Sequence, residues 1–140
     1  MFISRASRHD KKEVKELLAT RGWEDADLNR GVTFFAREGA VTGCVQLIEV
    51  APQEVVVDNM LVAEDRRGQG IGRRLLETAM NSRGGRLHLC CHPEHVDFYG
   101  RLGFSEVSFD ALPDEVQAYF REARDVPQKE GHVHHYLTAR

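Results

Sequence analysis

Residues Val55–Met80 read VVVDNMLVAEDRRGQGIGRRLLETAM, and the fold turns on them. Val55 to Val57 are β-branched, and Met60, Leu61 and Val62 extend the apolar run, the composition of a central strand. Arg66 to Gly72 (RRGQGIG) then places three glycines within the five positions from Gly68 to Gly72. Beyond the loop, Ile71, Leu75, Ala79 and Met80 recur at helical spacing and predict one apolar face. A strand that enters a helix through glycines leaves backbone N–H groups at the positive end of that helix. Such an end is suited to a phosphate or pyrophosphate.

Working outward, 140 residues predict one domain, 1–140, large enough for a substantial core. The hydrophobic fraction of 41% and charged fraction of 29% are those of an ordinary soluble chain. A net charge of -3 argues against a nucleic-acid partner, which calls for a basic face. No apolar run reaches membrane-spanning length, and MFISRASRHDKK lacks the apolar centre of a signal peptide. Three cysteines, two of them adjacent, do not make a disulfide framework, so a reduced, cytoplasmic setting is expected.

Ahead of the central strand, Phe2–Arg5 reads as a short strand. Asp10 and Glu13 have the spacing of a helix capping box, Val14, Leu17 and Leu18 that helix's buried stripe, and Gly22 its end. Trp23–Arg30 is polar and reads as a covering loop, a short helix or a mobile substrate-side segment. Val32–Arg37 and Ala40–Val50 are strands joined at Glu38-Gly39, and Pro52 interrupts before Glu54. Downstream, Arg86–Cys91 is a strand, Pro93 opens a helix that Gly103 ends, and Phe104–Phe109 alternates as a strand. Pro113 opens a second helix with Val116, Tyr119, Phe120 and Ala123 on one face. A polar loop, 125–131, leads to a closing strand at Val133–Leu137. The expected class is mixed α/β, a mostly antiparallel central sheet flanked by helices.

Spacing separates the phosphate-loop readings. A nucleoside-triphosphate loop needs Gly-Lys-Ser/Thr after its second glycine, and Arg73 follows Gly72 instead. A dinucleotide fingerprint needs G-x-G-x-x-G, whereas Gly68 begins G-x-G-x-G. Arg67-Gly68-Gln69-Gly70-Ile71-Gly72 resembles the R/Q-x-x-G-x-G/A motif of the GNAT superfamily of acyl-CoA-dependent N-acyltransferases. Phe98-Tyr99-Gly100-Arg101-Leu102-Gly103-Phe104 resembles the same family's F-Y-x-K/R-x-G-F segment, and the two are separated by one strand, as in the family. The resemblance covers Val55–Phe104 by motif and the rest by order of elements.

The resemblance implies a GNAT-like fold and transfer of an acetyl group from acetyl-CoA to a primary amine by direct attack. Main-chain N–H groups of Arg67 to Arg73 (Arg67, Gly68, Gln69, Gly70, Ile71, Gly72, Arg73) would hold the pyrophosphate, with Arg66, Arg73 and Arg74 adding charge. The main chain of Leu61 and Val62 would hold the pantetheine arm and the thioester carbonyl. Tyr99 stands at the position of the general acid that protonates the leaving thiolate, a place that also suits a core tyrosine. Asp58 is the candidate base, acting through water, with an ion-pair role as the alternative; the position two earlier, often Glu in relatives, is Val56, and Glu54 is a further candidate. His92 occupies the place of an Asn that contacts the cofactor arm, and alternatively caps the following helix.

Metal chemistry is not expected. Cys90, Cys91, His92 and His95, or His132, His134 and His135, lack the two-residue cysteine spacing of a zinc site, and adjacent strand cysteines face opposite ways. The cysteine pair reads as core, and His134 as a candidate wall of the acceptor pocket. The expected acceptor is a small-molecule amine, and Gly103–Pro113 slightly resembles amino-acid N-acetyltransferases such as N-acetylglutamate synthase. A homodimer is an allowed assembly. A non-catalytic acyl-CoA-binding sensor or interaction module, and acetylation of a protein N-terminus or lysine, stand as alternatives.

Overall fold

The elements form where local chemistry starts and stops them. A computed structural model of the chain describes residues 1–128 and 133–140. After β1 (Phe2–Arg5), helix α1 (Arg8–Ala19) begins at a Ser7 cap. The Asp10 N–H donates to Ser7 Oγ at 3.4 Å, and the Ser7 N–H donates to the Asp10 carboxylate at 2.9 Å. The capping box therefore sits one turn before the expected Asp10–Glu13 pair, and Glu13 instead takes the Arg37 guanidinium at 2.9 Å. Gly22, at φ +77°, lets the Trp23 N–H return to the Leu18 carbonyl and ends the helix.

Strands β2 (Val32–Glu38) and β3 (Ala40–Ala51) form the predicted hairpin through Gly39 at φ +75°, with a register shift at Ala36/Arg37. Strand β4 (Glu54–Val62) leads through a 3₁₀ turn at Glu64–Arg66 to α2 (Ile71–Asn81). Then follow β5 (Arg86–Cys91), a 3₁₀ turn at Pro93–His95, α3 (Val96–Gly100), β6 (Ser105–Val107), α4 (Asp114–Glu122) and β7 (His135–Ala139). Among the described residues, backbone hydrogen bonds order seven strands as β1-β2-β3-β4-β5-β7-β6, mostly antiparallel, with β4 and β5 parallel. The sheet flanked by helices is the expected mixed α/β class.

Contacts divide the chain into two compact units, Met1–Ile48 with Val57–Arg83, and Glu49–Val56 with Gly84–Arg140. In the first, Val14, Leu17 and Leu18 of α1 pack on Phe35, Val41, Cys44 and Leu61, with Leu28 from the intervening loop. Leu28 is therefore an anchor within a segment that reads as polar. Phe34 and Phe35 are both buried, as are Val41 through Ile48, so both faces of this part of the sheet are covered. Helix α2 buries Ile71, Leu75, Leu76 and Ala79; Leu76 replaces the expected Met80, which is half-buried. Ile71 and Leu75 lie over Gly43, where an added Cβ would come within 3.3 Å of each.

In the second unit, Val116 and Phe120 of α4 pack with Val56, Leu112 and Tyr136. Ala123 is the exposed C-cap of α4 and not part of its buried face, and the chain turns away at the next residue, Arg124, at φ +63°. Strand β6 is shorter than the alternation predicts, because Phe109 opens a 3₁₀ turn. The closing strand lies two residues later than expected, its register set by pairing of Cys90 with Tyr136 and Cys91 with His135. No helix among the described residues is long and apolar enough to cross a membrane.

Candidate active site

In the first unit, the end of β4 and the start of α2 bring together most of the residues singled out in sequence. Gly68 (φ +78°) and Gly70 (φ +80°) both take the left-handed conformation, and a Cβ at either would meet nothing within 4 Å. The chain there turns back sharply and leaves an open surface over the backbone. Gly70 is the N-cap of α2, and among the described residues no side chain caps that end. The first intrahelical bond runs from the Arg74 N–H to the Gly70 carbonyl at 3.1 Å. The N–H groups of Ile71, Gly72 and Arg73 therefore point out of the helix end, where the helix dipole favours an anion. No acidic residue opposes them in the first turn.

Arg67, Gly68, Gln69 and Gly70 are exposed, and the Arg67 Nε donates to the Val62 carbonyl at 3.3 Å, tying the loop to the strand end. Leu61 is buried and Val62 half-buried at that end. The arginines are not equivalent. Arg66 pairs with Glu38 at 2.7 Å, and Arg73 pairs with Glu77 at 2.8 Å, a hydrogen bond that raises the already high guanidinium pKa. Two of the arginines beside the loop are thus already paired with carboxylates, while the helix end adds its own positive potential.

Asp58 is half-buried on β4, and its Oδ1 accepts the Asn59 N–H at 2.7 Å. Asn59 holds φ +51°, a left-handed residue inside a strand, which sequence reading missed. Its Nδ2 donates to Gln46 Oε1 at 2.7 Å, and its carbonyl accepts the Cys44 thiol at 3.3 Å. Burial pushes that thiol up to about 12, so it stays a donor. The usable sequence signal was Asp-Asn within a strand, since Asn tolerates this conformation better than most residues.

Tyr99 and His92 belong to the second unit. Tyr99 is 9% exposed on α3, with Phe98 and Phe104 edge-on at ring-centroid distances of 5.1 and 5.8 Å. The FYGRLGF segment closes on Tyr99: the Phe104 N–H returns to the Tyr99 carbonyl at 3.2 Å, and the Gly103 N–H to that of Gly100. Gly103, at φ +96°, makes the closure possible, and the Phe104 ring then packs on Tyr99. His92 occupies the cap position of the Pro93–His95 turn, without a side-chain cap bond, and stacks on His134 with 5.9 Å between centroids.

Glu54, the further base candidate, is committed elsewhere. It receives Arg86 through two hydrogen bonds and approaches His88 Nε2 at 3.1 Å, while His88 Nδ1 meets Thr138 Oγ1 at 2.9 Å. Burial acts to raise its pKa, but the bonds from Arg86 and His88 outweigh this and hold the carboxyl below the usual range. Burial likewise pushes the Cys91 thiol up to about 12, as suits a core residue. The two histidine-rich groups do not assemble as they lie in sequence: His95 is exposed, His135 pairs with Glu106 at 2.6 Å, and His132 lies outside the described residues. Cys90 and His134 do come together, and Asp125 joins them.

The family model described as an acetyltransferase (GNAT) domain matches residues 29–106. Solved structures agree on the fold. An acetyltransferase of the GNAT family from Staphylococcus aureus is 18% identical, with 99% of this chain and 97% of that one covered and a TM-score of 0.68. An IAA acetyltransferase from Bacillus cereus is 24% identical, with 99% and 97% covered and a TM-score of 0.68. N-acetylglutamate synthase from Neisseria gonorrhoeae, solved with coenzyme A and L-arginine, is 19% identical with a TM-score of 0.73; 99% of this chain matches 32% of that longer one. Because the family match spans more than half of the sequence, the chain belongs to the GNAT acetyltransferase family, acyltransferases that draw their acyl group from coenzyme A.

Proposed function

We propose that residues 1–140 act as a single acetyl-CoA-dependent N-acetyltransferase domain whose acceptor is the primary amine of a small molecule. The observation that carries this reading is the start of α2: two left-handed glycines, open space above them, outward N–H groups and no acidic residue in the first turn. That end fits the pyrophosphate of coenzyme A, with main-chain donors from Arg67 to Arg73. The main chain of Leu61 and Val62 holds the pantetheine arm and polarises the thioester carbonyl, and His92 contacts the arm.

In a ternary complex the amine nitrogen attacks the thioester carbon, the C–S bond breaks, and the acetyl group passes directly to nitrogen. Tyr99 donates its hydroxyl proton to the leaving thiolate, and the ammonium proton leaves through water to Asp58. An amino-acid-like acceptor agrees with the likeness of Gly103–Pro113 to amino-acid N-acetyltransferases. No metal takes part in the step.

The test is thiol release on mixing the protein with acetyl-CoA and a panel of amines, with binding followed in parallel by thermal shift. Acetyl-CoA should raise Tm, and at least one small amine should release thiol. Tyr99→Phe should lower kcat at least tenfold and leave the acetyl-CoA Kd within about threefold, as expected for loss of a proton donor. Thermal shift without thiol release from any amine would favour an acyl-CoA sensor, and neither response would overturn the reading.

A further inference from the structure

Cys90 on β5, Asp125 just after α4 and His134 just before β7 converge although 44 positions separate the first from the last. The Sγ, one carboxylate oxygen and one ring nitrogen all lie within 4.8 Å of one another, and all three residues are half-buried. The cluster lies wholly within the second unit.

Its surroundings hold it in place. The Asp125 N–H donates to the Phe120 carbonyl at 2.8 Å, and the Asp125 carbonyl accepts the Tyr136 hydroxyl at 2.6 Å, so the main chain is fixed on both sides of the residue. Arg124 carries the left-handed turn that makes this possible, with its N–H on the Arg121 carbonyl. Tyr136 lies directly across the β5–β7 ladder from Cys90.

His134 Nδ1 lies 3.0 Å from the Val126 carbonyl. A carbonyl only accepts, so Nδ1 carries the proton and the Nε2 lone pair is the basic one. Imidazole oriented by an N–H to a backbone carbonyl is the arrangement that metal-bound histidines use.

The geometry points to a zinc site in which the Cys90 thiolate, the His134 Nε2 and an Asp125 carboxylate oxygen bind one Zn²⁺, with a fourth position open to water or an exogenous ligand. Zinc bonds of about 2.0–2.3 Å put tetrahedral ligand atoms about 3.3–3.8 Å apart. The Sγ, the carboxylate oxygen and one ring nitrogen of His134 already lie within 4.8 Å of one another, so side-chain rotations that present Nε2 bring the three ligand atoms to that spacing. A thiolate and an imidazole select a borderline-soft cation over magnesium or calcium. The two anionic ligands match the charge of the dication, which suits a half-buried place. Bound zinc would cross-link β5 to both ends of the connection between α4 and β7.

Cobalt(II) reads the site directly. Added to the full-length protein, it should bind at one equivalent, give the thiolate-to-cobalt charge-transfer band with the intense visible bands of a four-coordinate ion, and be displaced by one equivalent of zinc. Cys90→Ser should abolish the charge-transfer band. Zinc should raise the wild-type Tm, and His134→Gln should weaken zinc binding at least a hundredfold. Cys90 is half-buried and serine is nearly isosteric, so Cys90→Ser should fold; if it does not, His134→Gln alone decides. A wild-type protein without the thiolate band, a band that survives in Cys90→Ser, or unchanged zinc affinity in His134→Gln each overturns the assignment.

Discussion

Replacement of Gly70 by alanine separates a cofactor contact from simple backbone strain. Gly70 holds φ +80° and Gly39, in the β2–β3 turn, holds φ +75°; at both, a Cβ would meet nothing within 4 Å. The two substitutions therefore carry the same intrinsic penalty. A left-handed non-glycine residue costs about 1–2 kcal/mol, and the reduced freedom of the unfolded alanine chain returns about 0.4–1 kcal/mol. A net loss of about 0.5–1.5 kcal/mol remains in each variant, or about 2–5 °C in Tm at this chain length. Only Gly70 borders the outward N–H groups of α2. A methyl group there would push a phosphate oxygen off at least one charge-assisted N–H bond, each worth about 1.5–3 kcal/mol. The acetyl-CoA Kd of Gly70→Ala should accordingly rise about 10- to 150-fold by calorimetric titration, with Gly39→Ala unchanged. If Gly70→Ala binds within twofold of wild type, no phosphate touches this helix end. If both variants weaken equally, strain rather than contact is responsible.

Gly31→Ala should be far more damaging, because its Cβ would lie 2.1 Å from the Leu47 carbonyl oxygen at a backbone φ of +65°. Overpacking and strain together should remove about 2–5 kcal/mol, seen as a fall in Tm of about 7–17 °C or loss of soluble protein; a fall below 2 °C would contradict the close approach. Glu54→Gln should lower Tm at neutral pH by about 3–10 °C, since it removes the charged partner of Arg86 and His88, at about 1–3 kcal/mol. The Glu54 carboxyl titrates below its ordinary range in the folded state. Its contribution is therefore fully present above the unfolded-state pKa and is lost as pH falls through the lower native value. The gap between wild type and variant should close in that acid window, and a gap that does not vary with pH would show that the ion pair is not its source.

Local signals were legible at several of the glycines that set the backbone, though not at Gly31, whose φ of +65° had no turn or helix-end context to announce it. Gly22, Gly39, Gly70 and Gly103 each take the left-handed conformation at the turn or helix end that their sequence context suggests. Signals that compete locally were not resolved without the third dimension. Ser7-x-x-Asp10 and Asp10-x-x-Glu13 both have capping spacing; the first forms the box, and Arg37, distant in sequence, engages Glu13 at 2.9 Å and Asp10 at 3.4 Å. The alternation of Phe104–Phe109 overstated β6 because the Phe104 N–H is spent on the Tyr99 carbonyl, leaving Ser105–Val107 to pair with β7. The meeting of Cys90, Asp125 and His134 had no short spacing to announce it. It depends on β5 lying beside β7 and on a left-handed arginine at the end of α4.

Asp58 depends on a chain of contacts that no window of sequence displays. An isolated left-handed asparagine in a strand would be a defect, but Asn59 is held from three directions, by the Asp58 carboxylate, the Gln46 amide oxygen and the Cys44 thiol. Gln46 is 1% exposed, and its amide nitrogen also donates to the Asp27 and Arg30 carbonyls at 2.7 and 2.6 Å. Those bonds answer a question that composition left open, whether Trp23–Arg30 drifts or docks. The segment is docked by Leu28 in the core and by Gln46 at its end. The same side chain fixes Asn59, and through it the backbone that aims Asp58. A buried glutamine with all of these bonds made is costly to disturb, because any one loss strands a polar group away from water. The loop and the backbone at Asp58 are thus set by one residue, and a substitution that repacks the loop must also disturb Asn59 and Asp58.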